Sequence, residues 1–216
     1  MFGFVKGGSF LNILILGGTG RVGSKIVSYA LQDRHHVTVL VRTPEKLQIN
    51  HENLTILQGD VLNKDDILRA MDGIEVVISA LNTDGATTLS ESMPFIIEAM
   101  KSEGIQRIIT IGTAGILQSR ITPNLLRYQS SESKRKSVRA AEEHNKVYDM
   151  LEQSKLEWTI VCPTYLPDGE RLGKYRTESN YLPEGGTKIS VPDTAEFAFS
   201  QINSGDYIKT RVGIAY

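Results

Sequence analysis

The chain has 216 residues, of which 40% are hydrophobic and 23% charged, and its 24 basic and 25 acidic residues leave a formal net charge of −1. This balance argues against nucleic-acid and anionic-membrane partners, because those surfaces attract strongly basic proteins. Cys162 is the only cysteine, so an internal disulfide is excluded. No apolar run approaches the roughly 20 residues that cross a bilayer, and we expect a cytoplasmic protein.

Strand-length apolar runs alternate with helix-length amphipathic stretches along the chain. Nearly continuous β-branched runs are typical of parallel strands that helices cover on both faces. The pattern predicts a single Rossmann-type, doubly wound α/β domain with a mainly parallel sheet over residues 12–216, preceded by a flexible leader at residues 1–11. The predicted strands are 12–16, 37–41, 54–57, 75–80, 107–111 and 158–161, and the predicted helices are 22–31, 63–71, 90–102 and 133–153.

Residues at the predicted helix boundaries support this assignment. Asn63 is a suitable N-cap for its helix. Gly73 and Gly104 lie just beyond helix ends, where a left-handed backbone is favoured.

The alternation breaks after residue 161. Residues 163–186 are rich in Pro, Gly, Tyr and charge and have no clear period. We predict that residues 163–190 are an irregular elaboration that walls the substrate pocket, because such pockets form at the carboxyl ends of the strands. The pattern also predicts a strand at 187–190, a helix at 192–202 and a last strand at 211–216.

The segment GGTGRVG, residues 17–23, joins the first predicted strand to the first predicted helix. In this context one glycine permits a tight turn, another lets a pyrophosphate approach the backbone, and Gly23 lets helix and strand pack closely. The helix start supplies free amides and the positive end of its dipole. The segment therefore predicts a dinucleotide site.

The end of the second strand indicates which dinucleotide is bound. An NAD site usually carries Asp or Glu there, whereas this chain has Arg42 followed by Thr43. A guanidinium can make paired, charge-assisted hydrogen bonds to a 2′-phosphate. Arg42, with Arg21 approaching from the glycine loop, therefore predicts NADP(H) as the cofactor.

Two further strand ends complete the predicted cofactor site. Asp60 follows the third strand, where it would accept from the adenine amine or from a neighbouring backbone amide, and Val61 would pack on the adenine ring. The segment SALNT, residues 79–83, ends the fourth strand beside the expected ribose and nicotinamide.

Together these segments resemble the atypical short-chain dehydrogenase/reductases with an NAD(P)H-binding fold. Within them the chain is most similar to the flavin reductase (biliverdin-IXβ reductase)-like branch, near the NmrA-like proteins. The resemblance is carried, in family order, by GGTGRVG, VLVRTPEKL, GDVLNKDD, VISAL, RIITIGTAG, LEQSKLEWTIVCP and ISVPDTAEF. It implies cofactor contacts at Gly17, Thr19, Gly20, Arg21, Val22, Arg42, Asp60, Val61, Ala80, Leu81 and Asn82, to which we add Thr43, Thr113 and Pro163.

The same resemblance supplies two candidate catalytic residues. Thr113 stands where flavin reductase-like members have a serine near the nicotinamide. Tyr148 aligns with a histidine that lines their substrate pocket. Cys162-Pro163 replaces the Arg-Pro of many relatives, so a polar contact is missing there. These departures leave the identity of the substrate open.

The chain lacks the Tyr-x-x-x-Lys pair that serves proton transfer in classical members, because no tyrosine is followed four places later by lysine. Flavin, quinone or tetrapyrrole acceptors take their proton from solvent or a weak donor, so hydride transfer to them survives this loss. Tyr165, Tyr175 and Tyr181 are candidates to stack on such a planar acceptor. The four histidines and Cys162 have no metal-ligand spacing, and we expect no metal site.

Two functions remain open from the sequence. The first is an NADPH-dependent oxidoreductase that transfers hydride to a planar conjugated small molecule and acts as a monomer or small homo-oligomer. The alternative is a non-catalytic, NADP(H)-sensing regulator of the NmrA-like kind, which acts through a protein partner and needs the same glycine loop without a proton donor.

Overall fold

The computed structural model describes residues 10–83, 85–133, 135 and 137–216. Most of the predicted leader, residues 1–9, therefore lies outside the described part of the chain. Leu11 already belongs to the fold, since its carbonyl accepts from the His36 amide at 3.0 Å.

The described residues form one eight-stranded sheet in the order β3-β2-β1-β4-β5-β6-β8-β7. All neighbouring strands are parallel except the last pair, β8 and β7. The predicted doubly wound, mainly parallel fold is confirmed. The strands are β1 (Asn12–Leu16), β2 (His36–Val41), β3 (Leu54–Gln58), β4 (Val76–Ser79), β5 (Arg107–Ile111), β6 (Glu157–Pro163), β7 (Arg176–Ser179) and β8 (Thr210–Ala215), and the helices are α1 (Arg21–Gln32), α2 (Lys64–Ala70), α3 (Thr88–Ser102), α4 (Arg139–Gln153) and α5 (Val191–Ser200).

Helices cover both faces of the sheet and create two cores. Successive side chains of a strand point to opposite faces, so Leu14 of β1 packs in one core and Ile15 in the other. The first core also contains apolar side chains of α2, α3 and α4. The second contains those of α1 and α5. Burial on both faces explains why the strands are nearly uniformly apolar.

The predicted helix-boundary residues act as expected. The Asn63 side chain accepts from the amides of Asp65 at 2.9 Å and Asp66 at 3.2 Å, capping α2. Gly73 and Gly104 have φ values of 67° and 73°, in the left-handed region. No helix of the described residues has the length and apolar character that a membrane span requires.

Three sequence predictions need correction. The predicted strand at 187–190 is wrong, because Lys188 makes only an isolated bridge, to Tyr165. The edge strand β7 was not predicted, since its sequence RTES has no apolar residue and lies partly exposed. The helix predicted at 133–153 begins later than expected, at Arg139. Two residues of the predicted first turns, Lys134 and Lys136, lie outside the described residues.

Candidate functional site

The glycine loop is shaped by two close backbone contacts. Gly17 has a φ of 78°, and a Cβ added there would lie 2.5 Å from the carbonyl oxygen of Ala80, at the end of β4. A Cβ added at Gly23, on the first turn of α1, would lie 2.1 Å from the Gly17 carbonyl oxygen. Both distances are below any real contact, so only glycine permits this loop to sit between β1, β4 and α1.

The loop leaves the start of α1 open to a ligand. The Gly20 amide donates to the Gly17 carbonyl at 2.9 Å, and the Ser24 amide makes the first helical bond, to Gly20, at 2.9 Å. No side chain caps α1, and its first turn has no acidic residue. The first N–H groups of α1 therefore remain free to donate, and they lie at the positive end of the helix dipole. This arrangement fits the pyrophosphate of a dinucleotide.

Arg42 and Thr43 follow β2 at the same edge of the sheet. Arg42 is exposed, and among the described residues its guanidinium makes no ion pair. Its carbonyl accepts from the Gln58 side chain at 3.5 Å, and Thr43 begins a short turn, Pro44–Lys46. A cation therefore occupies the position where an NAD site places a carboxylate.

Arg21 contacts the C-terminal segment, which the sequence argument did not predict. Its Nε donates to Asp168 Oδ1 at 2.7 Å, and a terminal nitrogen donates to the Leu166 carbonyl at 2.5 Å. These contacts direct the Arg21 side chain to the C-terminal segment. The two charged side chains are 57% and 85% exposed, so this contact contributes little stability and is easily exchanged.

Asp60 makes one of the two contacts expected of it. Its Oδ1 accepts from the Leu62 amide at 3.0 Å, and its own amide donates to Asp66 Oδ2 at 3.0 Å. These bonds fix the turn after β3. Val61 is 9% exposed and packs in the core shared with α2.

The residues after β4 lie against the glycine loop. The Ala80 amide donates to the Leu16 carbonyl at 2.8 Å, which extends the β1–β4 pairing by one residue. Leu81 is partly buried against the core. Asn82 is exposed, and its side-chain oxygen accepts from the Thr83 amide at 2.8 Å.

Thr113 and Pro163 follow the next two strands at this edge. The Gly112 amide donates to the Val161 carbonyl at 2.7 Å, which places Thr113 beside the end of β6. Thr113 Oγ1 accepts from the Gly115 amide at 3.4 Å, so its own proton remains available for donation. Pro163 is the last, buried residue of β6. Because the carboxyl ends of parallel strands share one edge, the structure brings the predicted cofactor residues together there.

Tyr148 is not part of this group. Ala141 lies opposite Gly115, and Tyr148 lies about two turns, or ~10 Å, further along α4 toward the other edge of the sheet. Its hydroxyl donates to Glu152 Oε1 at 2.8 Å. Burial and this bond raise the tyrosine pKa. Tyr148 is therefore not beside Thr113, and we assign it no part in hydride transfer.

Of the three tyrosines considered for stacking, one is open at the carboxyl edge. Tyr175 donates to Glu196 at 2.5 Å and packs edge-on against Phe197 in the second core. Tyr181 lies under the Arg120 guanidinium, 4.8 Å from the ring centre. Tyr165, two residues after β6, is 64% exposed.

Two other titratable groups are inert in their environment. Burial raises the pKa of the Cys162 thiol to about 12, so it is no nucleophile at neutral pH. Burial lowers the pKa of His144 to about 4, with Glu143 opposing the shift. The part of the chain that the structure describes holds no cluster of three or more His, Cys, Asp or Glu side chains suited to a metal ion.

The sequence matches one protein family over most of its length. A family model described as NAD(P)H-binding matches residues 17–205. The uncharacterized protein YwnB of Bacillus subtilis is 24% identical over 212 residues, covering 93% of this chain and 96% of YwnB. An isoflavone reductase homolog A622-like protein of Nicotiana tabacum is 34% identical over 101 residues, and the matched region spans 31% of its length.

Solved structures agree in fold. A candidate NADH-flavin reductase from Streptococcus pneumoniae superposes with a TM-score of 0.80 at 25% identity and covers 95% of this chain and 99% of its own. A short-chain dehydrogenase/reductase from Veillonella parvula, solved in complex with NADP, has a TM-score of 0.74 at 22% identity and covers 96% and 95% of the two chains.

Proposed function

Since the chain belongs to the NAD(P)H-binding family of Rossmann-fold proteins, we propose that it is an NADPH-dependent reductase. Its acceptor is a planar conjugated small molecule, with flavins first and quinones and tetrapyrroles next. The S. pneumoniae neighbour's description supports a flavin. That description names NADH, so the preference for NADPH rests on this chain's own residues.

The observation that carries the cofactor preference is the exposed Arg42 at the end of β2. A carboxylate at this position accepts from the ribose hydroxyls and repels a 2′-phosphate, whereas a guanidinium binds that phosphate through two parallel hydrogen bonds. Arg42 has no competing ion pair among the described residues, so binding the phosphate breaks no such pair.

The remaining residues bind and orient the two reactants. The open amides at the start of α1 hold the pyrophosphate, and the nicotinamide, when bound, supplies the hydride. Thr113 keeps a hydroxyl proton for the carboxamide or the acceptor, and Asn82 offers its amide nitrogen. Catalysis then consists mainly of placing donor against acceptor, because a conjugated acceptor requires no strong acid.

Tyr165 supports a flat acceptor. Its ring is exposed beside Pro163, at the edge where the nicotinamide binds. Its carbonyl accepts from the Ile189 amide at 2.9 Å, which fixes the backbone behind the ring. An exposed aromatic ring on a hydrogen-bonded backbone can stack on a conjugated acceptor.

The test is the oxidation of NADPH and of NADH by the purified protein with FMN, riboflavin and a short quinone in turn. We expect saturable oxidation with a lower KM for NADPH. Arg42→Ala should raise the KM for NADPH about tenfold or more, because a hydrogen bond to a charged group contributes about 1.5–3 kcal/mol. The KM for NADH should change by less than about twofold. The control is Lys155→Ala, which removes an exposed cation far from the cofactor site and should change neither the KM for NADPH nor the KM for NADH by more than about twofold.

Two results would count against the proposal. Equal KM values for the two nucleotides in the wild-type protein would contradict the role of Arg42, whatever the acceptor. Tight NADPH binding without oxidation above background would favour the alternative, a non-catalytic NADP(H)-sensing regulator.

A further inference from the structure

A cavity lies at the amino edge of the sheet, where β6 and β8 begin, opposite the carboxyl edge that carries the candidate cofactor site. Its volume is about 370 Å³. Trp158 is the second residue of β6 and Arg211 the second of β8, so the cavity lies roughly 15 Å along the strands from the carboxyl edge. We call it the amino-edge cavity, and its lining residues are Gln118, Tyr148, Glu152, Trp158, Asn180, Tyr181, Lys209 and Arg211.

Arg211 is a buried cation that forms no direct ion pair with the described residues, although its charge also acts on the Asp149 carboxylate. Arg211 is only 7% exposed, and its guanidinium carbon lies over the Tyr148 ring, 4.2 Å from the ring centre. One terminal nitrogen donates to the Ile116 carbonyl, but its Nε has no partner among the described residues. No carboxylate of those residues lies within 4.0 Å of the guanidinium. A buried charge is costly unless an opposite charge accompanies it.

A second unpartnered donor belongs to Trp158, which also lines the cavity. Trp158 is 4% exposed, and within the described chain its indole Nε1 has no hydrogen-bond acceptor. Buried indole N–H groups usually find an acceptor, so this one also lacks its normal partner. Lys209 adds another cation to the lining. Arg211 Nε and Trp158 Nε1 are thus buried donors without acceptors among the described residues.

The backbone around the cavity is also unusual. The described residues include three non-glycine positions with positive φ, and two of them, Asn180 at 63° and Lys209 at 54°, line this cavity. Such conformations cost free energy and concentrate at functional sites. Asn180 directly follows β7, and Lys209 directly precedes β8, so each left-handed residue lies where a strand meets the cavity wall.

We propose that the amino-edge cavity binds a small hydroxylated organic anion. Its carboxylate or phosphate group accepts from the two cations of the lining, the Arg211 guanidinium and the Lys209 ammonium, beside the Trp158 side chain. Its hydroxyl groups bond to Asn180 and to Glu152, whose carboxylate already accepts from Tyr148. The negative charge of Glu152 limits the ligand to one anionic group. This site is separate from the cofactor site and does not depend on the proposed reductase activity.

The intrinsic fluorescence of the protein reports on this cavity directly, because Trp158 is the only tryptophan. The probes are glycerol 3-phosphate and lactate, with glycerol and lactamide as their uncharged counterparts. We expect a saturable change in emission with at least one anion below about 10 mM, and at least tenfold weaker effects from its uncharged counterpart. The two anions distinguish a phosphate from a carboxylate head group. NADPH should not compete, and Arg42→Ala should bind the anion as the wild type does.

Two variants test the assignment of residues. Arg211→Gln removes the buried cation and should weaken anion binding at least tenfold. Lys209→Asn removes the second cation with a residue that tolerates positive φ, so it provides a test even if Arg211→Gln folds poorly. We expect it to weaken binding about threefold or more, while Lys46→Ala, which removes an exposed cation in the turn after β2, leaves binding unchanged. Absence of any saturable response, equal binding of charged and uncharged probes, or full binding by Lys209→Asn would each overturn the proposal.

Discussion

The two edges of the sheet carry sites of different construction. At the carboxyl edge the candidate cofactor site is mostly backbone, namely the glycine loop and the open amides of α1. At the amino edge the cavity is made of side chains from Gln118, Tyr148, Trp158 and Arg211, which are far apart in the chain. The cofactor site therefore depends on the backbone conformation of a short segment. The amino-edge cavity depends on the whole fold, which brings its side chains together.

Gly23→Ala should give the largest effect, because it breaks the backbone site. Its Cβ would lie 2.1 Å from the Gly17 carbonyl oxygen. We expect unfolding free energy to fall by about 1–3 kcal/mol and NADPH binding to be lost. Gly205→Ala is the matched control, since a Cβ there meets nothing within 4 Å. Denaturant unfolding and nucleotide titration measure both effects, and wild-type affinity in Gly23→Ala would refute the loop geometry.

The pH dependence of stability tests the burial of His144 on α4, the helix that carries Tyr148 to the amino-edge cavity. Its folded pKa, about 4, lies below its ordinary value of 6.5. The unfolded chain therefore binds more protons between these values, so the stability that neutral His144 contributes is present above pH 6.5 and is lost as pH falls toward 4. We expect a loss of about 1–2 kcal/mol, less than the full shift implies because the residue keeps some exposure.

The matched variant is His144→Gln, which cannot titrate in this range. Its urea midpoint should change less than that of the wild type between pH 6.5 and pH 4. Parallel curves for the two proteins would show that other groups cause the pH dependence.

Asn63→Ala tests a purely local element of the carboxyl edge. The side chain caps α2 through two amides, and its loss should cost about 1 kcal/mol. Asn50→Ala, at an exposed loop position, should change stability by less than about 0.5 kcal/mol. Thermal or urea unfolding gives the free energy of unfolding of the two variants. Equal losses in both would show that the Asn63 cap does not stabilise the protein.

The smallest effect is expected for the contact between Arg21 and Asp168, which joins the glycine loop to the C-terminal segment. Both side chains are largely exposed, so a double-mutant cycle of Arg21→Ala and Asp168→Ala should give a coupling of about 0.2–1 kcal/mol that decreases with added salt. A salt-independent coupling above this range would mean that the pair is shielded from solvent.

Individual elements show where sequence reasoning succeeds. β1 and β5 were predicted with the bounds they have, because both are buried apolar runs between clear turn signals. The cap at Asn63 depends on its own helix alone, so it could be predicted as well. β7 could not, since an edge strand of polar residues owes its pairing to β8, its neighbour in space. The partner of Arg21 could not be predicted either, because Asp168 lies in a segment without a period.

The sequence by itself determined the doubly wound fold and the glycine loop with Arg42 after β2, because apolar periodicity and glycine spacing act over a few residues. Only the tertiary structure decided that Tyr148 lies away from Thr113, and that Arg211 and Trp158 share one cavity. The physical reason is that side-chain direction and burial depend on which strands become neighbours, and the pairing of β6 with β8 brings together residues about fifty positions apart.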